Sequence, residues 1–203
     1  MSTYNAPLKD MQFVLREIVG LSEIAALPGL QDATPEVVDA VLTEAAKFAR
    51  EVLDPLNRAG DEHGARFSHG KVTLPEGYAD AYAKFAAAGW TSLSGDPAHG
   101  GQGLPYVVSS ATQEMWNSAN MAFCLAPMLT WGVLEALEQH ASPEQRALYM
   151  PRLVSGEWCG TMNLTEPQAG SDLSAVRMQA TREGDHYRPV SYTHLTLPTI
   201  LRV

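Results

Sequence analysis

The densest group of residues able to do chemistry lies late in the chain, in the stretch LTEPQAGSD from Leu164 to Asp172. Thr165 and Ser171 supply hydroxyls that donate and accept, Glu166 supplies a carboxylate, and Gly170 lets backbone come close to a ligand. Pro167 and Gly170 mark the stretch as a loop. Such a loop can hydrogen-bond a planar, polar edge at one end and a phosphate at the other. A plain Thr-Glu-Pro turn, with Ser171 capping a local backbone group, accounts for the same spacing equally well.

Other residues offer weaker chemistry. His63 and His69 stand in a polar connector among Gly, Ser and Asp, and their spacing matches no compact metal site, so a solvated loop is the expectation and no metal is assigned. The run GGQG, Gly100 to Gly103, leads toward a helix, where free N–H groups can bind phosphate. It has no Walker lysine and follows no clear strand, so a chain reversal is the better reading. Cys124 and Cys159 have neither metal nor redox spacing and read as buried free thiols in a reducing, cytoplasmic compartment.

The elements that must position the loop are helical over the first two thirds. Leu8, Met11, Leu15, Ile18 and Val19 recur at helical spacing before Gly20. Thr34 as N-cap, Pro35 at the first helical position, and Glu36 and Asp39 early in the helix predict a start. Val38, Val41, Leu42, Ala45, Ala49 and Val52 then form one apolar stripe, and Pro55 is expected to stop the helix. Residues 57–74 read as connector, and Tyr78 to Ala88 as a short helix ended by Gly89. Two helices come next, Tyr106 to Ala119 and Met121 to Gln139. Ser142, Pro143 and Gln145 then lay out a capped helix ending near Val154, with Gly156 beyond. After Gly156 the period changes. EWCGTMNLTE and LSAVRMQATREGDHYR read as strands, the second bending at Glu183-Gly184-Asp185 as a hairpin does.

Composition excludes several function classes. The 203 residues carry a net charge of −9 with no basic stripe, which opposes nucleic-acid binding and a polybasic membrane patch. Charges at Lys9, Asp10, Arg16 and Glu17 interrupt any signal-peptide core. The uncharged run from Met121 to Leu134 is shorter than the roughly 20 residues of a spanning helix and reads as a buried core helix.

Read whole, LTEPQAGSDLSA closely resembles the signature of the acyl-CoA dehydrogenases, and GDPAHGGQGLP and MPRLVSGEW precede it in that family's order. The resemblance covers residues 34–188, with Asn163 standing where the family usually has a small residue or Cys. The opening YNAPLKDMQFVL resembles the longer bacterial branch of 3-methylmercaptopropionyl-CoA dehydrogenases. The resemblance implies an N-terminal extension (1–33), a helical N-terminal domain (34–156) and the first strands of a β-barrel middle domain (157–188). The expected fold class is therefore mainly α with an incomplete middle domain, and a C-terminal four-helix bundle would complete the family fold. Residues 189–203 resemble a translated sequencing adapter and are set aside, so that the natural frame is expected to continue beyond Arg188.

The resemblance further implies FAD as cofactor. Met162, Leu164 and Thr165 would lie at the pyrimidine end of the flavin, and Gly170 and Ser171 would reach the pyrophosphate, with Ser171 also near the thioester. Family members take the α-proton of an acyl-CoA with a Glu base, pass the β-hydrogen as hydride to the flavin, and hand electrons to electron-transferring flavoprotein. That base belongs to the C-terminal bundle, so no catalytic residue is assigned here, and Glu166 is placed in the cofactor loop. The chain alone is expected to be inactive, and the full-length protein to be a homo-oligomer. Two alternatives remain at this level: a non-catalytic helical interaction module, or an acyl-CoA oxidase or nitroalkane-type relative that passes electrons to oxygen.

Overall fold

A computed structural model describes residues 4–190, and the chain divides into two units at Thr161 and Met162. The first unit is helical. An N-terminal helix α1 (Leu8–Phe13) continues through a wider turn (Val14–Ile18) into a short α2 (Leu21–Ala25). Met11, Leu15 and Leu21 are buried, whereas Ile18, expected on the same face, is 68% exposed. The wide turn explains the difference: Val19 N–H bonds Val14 O, an i→i+5 step that rotates the residues after it away from the α-helical register.

Helix α3 (Pro35–Phe48) begins as its sequence predicts, with Thr34 Oγ1 accepting from Val37 N–H at 3.4 Å. Val38, Leu42, Ala45 and Ala49 are buried, and Val41 and Val52 pack against them. Pro55 does not stop the helix. A second i→i+5 turn (Ala49–Leu53) leads into α4 (Asp54–His63), placing Pro55 in the first turn of α4, where its missing N–H costs nothing. The connector is likewise more ordered than its composition indicates. After α4 comes a small antiparallel hairpin, β1 (Arg66–Ser68) and β2 (Lys71–Thr73). His69 and Gly70 both have positive φ, 51° and 75°, as a type I′ turn demands.

Helix α5 (Tyr78–Ala87) ends at Gly89, and the Gly-rich stretch turns the chain back through two short 3₁₀ turns. There a Cβ on Gly101 would lie 2.1 Å from the backbone of Gly95, so only glycine fits. Helix α6 runs from Tyr106 to His140 but is two helices in effect. Asn120 has φ −158° and ψ 87°, which divides α6 where the two segments were expected to meet. Its length and apolarity suffice for a membrane span. A core helix passes the same test, and Val108, Met115, Trp116, Ala119, Phe123 and Cys124 of α6 share one buried cluster with α3 and α5. The expectation of a buried second half is met on one side only: Phe123, Pro127 and Thr130 are buried, whereas Met121, Leu125 and Met128 are 62%, 50% and 45% exposed. Helix α7 (Pro143–Val154) carries the expected capping box, Ser142 and Gln145 bonding each other's backbone N–H at 3.3 and 3.0 Å.

Aromatic rings fill the centre of the unit. Phe85 meets Trp116 edge-on at 4.9 Å and Phe123 at 5.6 Å, and Trp90 meets Trp116 at 5.3 Å. Such pairs add about 0.5–1.5 kcal/mol each beyond their buried area. The Trp116 indole N–H reaches Ala45 O at 3.3 Å, joining α6 to α3.

The second unit contains the hairpin β3 (Gln179–Glu183) and β4 (His186–Val190). Glu183 faces His186 across a two-residue loop in which Gly184 has φ 67°. Strand β4 passes Arg188 to include positions 189 and 190; the rest of the segment set aside, 191–203, lies outside the described residues. The expected earlier strand, EWCGTMNLTE, is absent among the described residues. A strand needs a partner for its N–H and C=O groups, and these residues find only isolated contacts. Trp158 N–H donates to Arg152 O, and Gly160 N–H to Thr130 Oγ1. Leu173–Ala175, expected as strand, is a 3₁₀ turn capped by Asp172.

Candidate functional site

Met162, Leu164, Thr165, Gly170 and Ser171 all fall on one segment of the second unit, and all five are exposed. Within it Glu166 and Ala169 are buried, at 4% and 1%. Their backbones bond reciprocally, Glu166 N–H to Ala169 O and Ala169 N–H to Glu166 O, both at 3.0 Å. Pro167 and Gln168 form the tip of this tight turn, which places Thr165 just before it and Gly170-Ser171 just after.

The Glu166 carboxylate closes the turn a second way. One oxygen accepts Met178 N–H at 2.8 Å, the other accepts Arg177 N–H at 3.0 Å and the Gln168 side-chain amide. The Arg177 N–H chiefly holds this carboxyl below its ordinary range; burial opposes the shift, and Met178, Gln168 and the Arg177 charge add to it. A carboxylate so occupied is a weak proton acceptor. The sequence gives no sign of this anchoring, because the partners lie eleven and twelve positions away and donate from backbone.

The exposed residues have the opposite character. The backbone N–H groups of Leu164, Thr165, Gly170 and Ser171 find no acceptor among the described residues, and the Thr165 and Ser171 hydroxyls are likewise unpaired. A Cβ on Gly170 would meet nothing within 4 Å, so that face of the loop is open. An ordered turn carrying unpaired donors on both flanks, one of them the open Gly170, is an arrangement able to hold a ligand rich in acceptors.

In the first unit, Met128 and Trp131 of α6 line a cleft of about 280 Å³ together with Ser92, Asp96 and Glu135. Trp131 is fixed there by its N–H bond to Thr91 O at 2.9 Å. His63 and His69 make only local contacts, to Ala59 O and Ser68 Oγ, and no metal-ligating cluster occurs among the described residues. The reading of two buried thiols holds for Cys124 and fails for Cys159. The latter is exposed and hydrogen-bonds the Tyr82 hydroxyl at 3.0 Å.

The model of the acyl-CoA dehydrogenase N-terminal domain matches residues 35–157. The chain belongs to the acyl-CoA dehydrogenase family. It is 44% identical over 193 residues to 3-methylmercaptopropionyl-CoA dehydrogenase of Ruegeria pomeroyi, covering 95% of this chain and 33% of that protein. It is also 31% identical to a butyryl-CoA dehydrogenase of Syntrophomonas wolfei, over 85% of this chain and 29% of the relative. The chain thus spans about a third of the length of these relatives.

Solved structures agree on the fold. Butyryl-CoA dehydrogenase of Megasphaera elsdenii superposes with a TM-score of 0.63 at 20% identity, covering 75% of this chain and 38% of that one. Glutaryl-CoA dehydrogenase of Mycobacterium smegmatis gives 0.65 at 19%, covering 79% and 39%. The mainly helical, partial fold expected from the sequence is the one found.

Proposed function

We propose that this chain is the N-terminal part of an FAD-dependent acyl-CoA dehydrogenase and that the Met162–Ser171 segment is its share of the cofactor site. The observation that carries the reading is the anchored turn at Glu166 with unpaired N–H and hydroxyl donors on either side. These donors suit FAD, which offers carbonyl and ring-nitrogen acceptors at its pyrimidine end and anionic oxygens at its pyrophosphate. Met162, Leu164 and Thr165 serve the first, Gly170 and Ser171 the second, with Ser171 also facing the thioester of the substrate. Bound FAD supplies the hydride acceptor for removing hydrogen across the α,β bond of an acyl-CoA. The residues of this chain contribute binding and orientation.

The proton-abstracting carboxylate is assigned to a region beyond these 203 residues, so the chain alone does not turn over. Met128 and Trp131 offer an apolar wall to an acyl chain. The full-length protein is read as a cytoplasmic homo-oligomer acting in fatty-acid metabolism, passing its electrons to electron-transferring flavoprotein. Sequencing the source gene across codon 188 tests the assignment. A frame that continues for several hundred codons and encodes a later helical Glu supports it. A stop after codon 203 overturns it.

A further inference from the structure

We infer that Glu166 is a positioning residue, whose carboxylate grips the Arg177 and Met178 backbone N–H groups and so fixes the loop that presents Thr165 and Ser171 to the cofactor. This inference rests on the cofactor reading above and adds a role for a residue that touches no cofactor. Glu166 and Ala169 are the buried residues in an otherwise exposed segment, and both belong to the same turn. The turn has few other restraints. Gln168 adds one bond to the Glu166 carboxylate and a longer one, 3.4 Å, to Ala175 O. Charge-assisted bonds from two consecutive N–H groups to the two oxygens of one carboxylate define both the position and the rotation of the turn. Thr165 is the preceding residue and Ser171 stands two after Ala169, so the reciprocal Glu166–Ala169 backbone bonds set the spacing between the two sets of unpaired donors, and the carboxylate grip fixes that turn against residues 177–178.

The same geometry explains why an acid stands between Thr165 and Pro167. An amide at this position keeps the shape but turns an N–H₂ toward one of the two N–H donors, leaving that donor unpaired.

The test uses the full-length gene product with Glu166→Gln, Glu166→Ala and, as a control, Thr165→Ala. Hydrogen exchange of the segment containing Arg177 and Met178 is tracked by mass spectrometry, and FAD affinity by quenching of flavin fluorescence. For Glu166→Gln, exchange at these amides rises about tenfold and FAD binds about tenfold more weakly, the loss expected for one charge-assisted bond. Glu166→Ala exceeds both effects. Thr165→Ala weakens FAD but leaves exchange as in the wild type. Unchanged exchange in Glu166→Gln overturns the grip. Faster exchange with unchanged FAD affinity overturns the positioning role. A wild-type protein that binds no FAD removes the cofactor reading itself, a result the variants cannot produce.

Discussion

Replacing Asn120 by alanine strikes the one residue that both breaks and caps helix α6. Asn120 is fully buried. Its Oδ1 accepts Phe123 N–H at 3.0 Å, and its Nδ2 donates to Leu53 O and to the Tyr78 hydroxyl, each at 3.1 Å. Alanine leaves the Phe123 N–H and the Leu53 carbonyl without their partner in a site closed to water. Each such group costs about 1–3 kcal/mol, while Tyr78 keeps a long contact to Leu56 O. The expected loss is about 3–5 kcal/mol, or about 10 °C in Tm for a domain of this size. Urea unfolding monitored by tryptophan fluorescence and circular dichroism measures it. Tyr78→Phe should cost about 1 kcal/mol, and the double variant should fall short of the sum by about 1 kcal/mol, because the two side chains share a bond. A loss below about 1 kcal/mol for Asn120→Ala would mean that α6 straightens or admits water without penalty, and that these bonds do not hold the break in place.

Glycine positions give a paired prediction. Gly101→Ala forces a Cβ to 2.1 Å from the Gly95 backbone and should cost at least about 2 kcal/mol in the same unfolding assay, whereas Gly170→Ala, open on that side, should leave folding unchanged and reduce FAD affinity. Burial pushes the Cys124 thiol from 9.0 up to about 12. The unfolded chain therefore loses that proton first, and stability should fall as pH rises from about 9 toward 12. Under iodoacetamide at pH 8, mass spectrometry should show Cys159 modified in the native chain and Cys124 only after unfolding. The Glu166 carboxyl is shifted the other way. Its contribution is present above the ordinary carboxylate pKa and is lost as pH falls through its lowered folded value, so exchange near Arg177, relative to an unstructured amide at the same pH, should quicken only in acid below the ordinary carboxylate range.

Features legible in the sequence were those whose cause is local. Thr34-Pro35 and Ser142-Pro143 with Gln145 announced two helix starts. Gly184 marked the β3–β4 turn. Features that stayed hidden depended on distant partners or on backbone bonding. The i→i+5 turns at Val14 and Ala49 leave no compositional trace, the first turning Ile18 outward and the second carrying the chain past Pro55. The β1–β2 hairpin has only three residues a side, too few for alternation to show, although Ser68-His69-Gly70-Lys71 held its turn signal. Residues 157–166 find no ladder partner among the described residues, and no local pattern reports the lack of one. In the candidate site, Met162, Leu164, Thr165, Gly170 and Ser171 are proposed from resemblance to a family signature, whereas the grip of Glu166 depends on backbone donors eleven and twelve positions away.

The most direct measurement is an anaerobic titration of the full-length gene product with short acyl-CoA thioesters, read by the visible absorbance of bound flavin. A yellow protein is expected, whose flavin bleaches on addition of acyl-CoA and which loses its flavin more readily with Thr165→Ala. A colourless protein, or a flavin that stays oxidised with every acyl-CoA, would contradict the dehydrogenase reading.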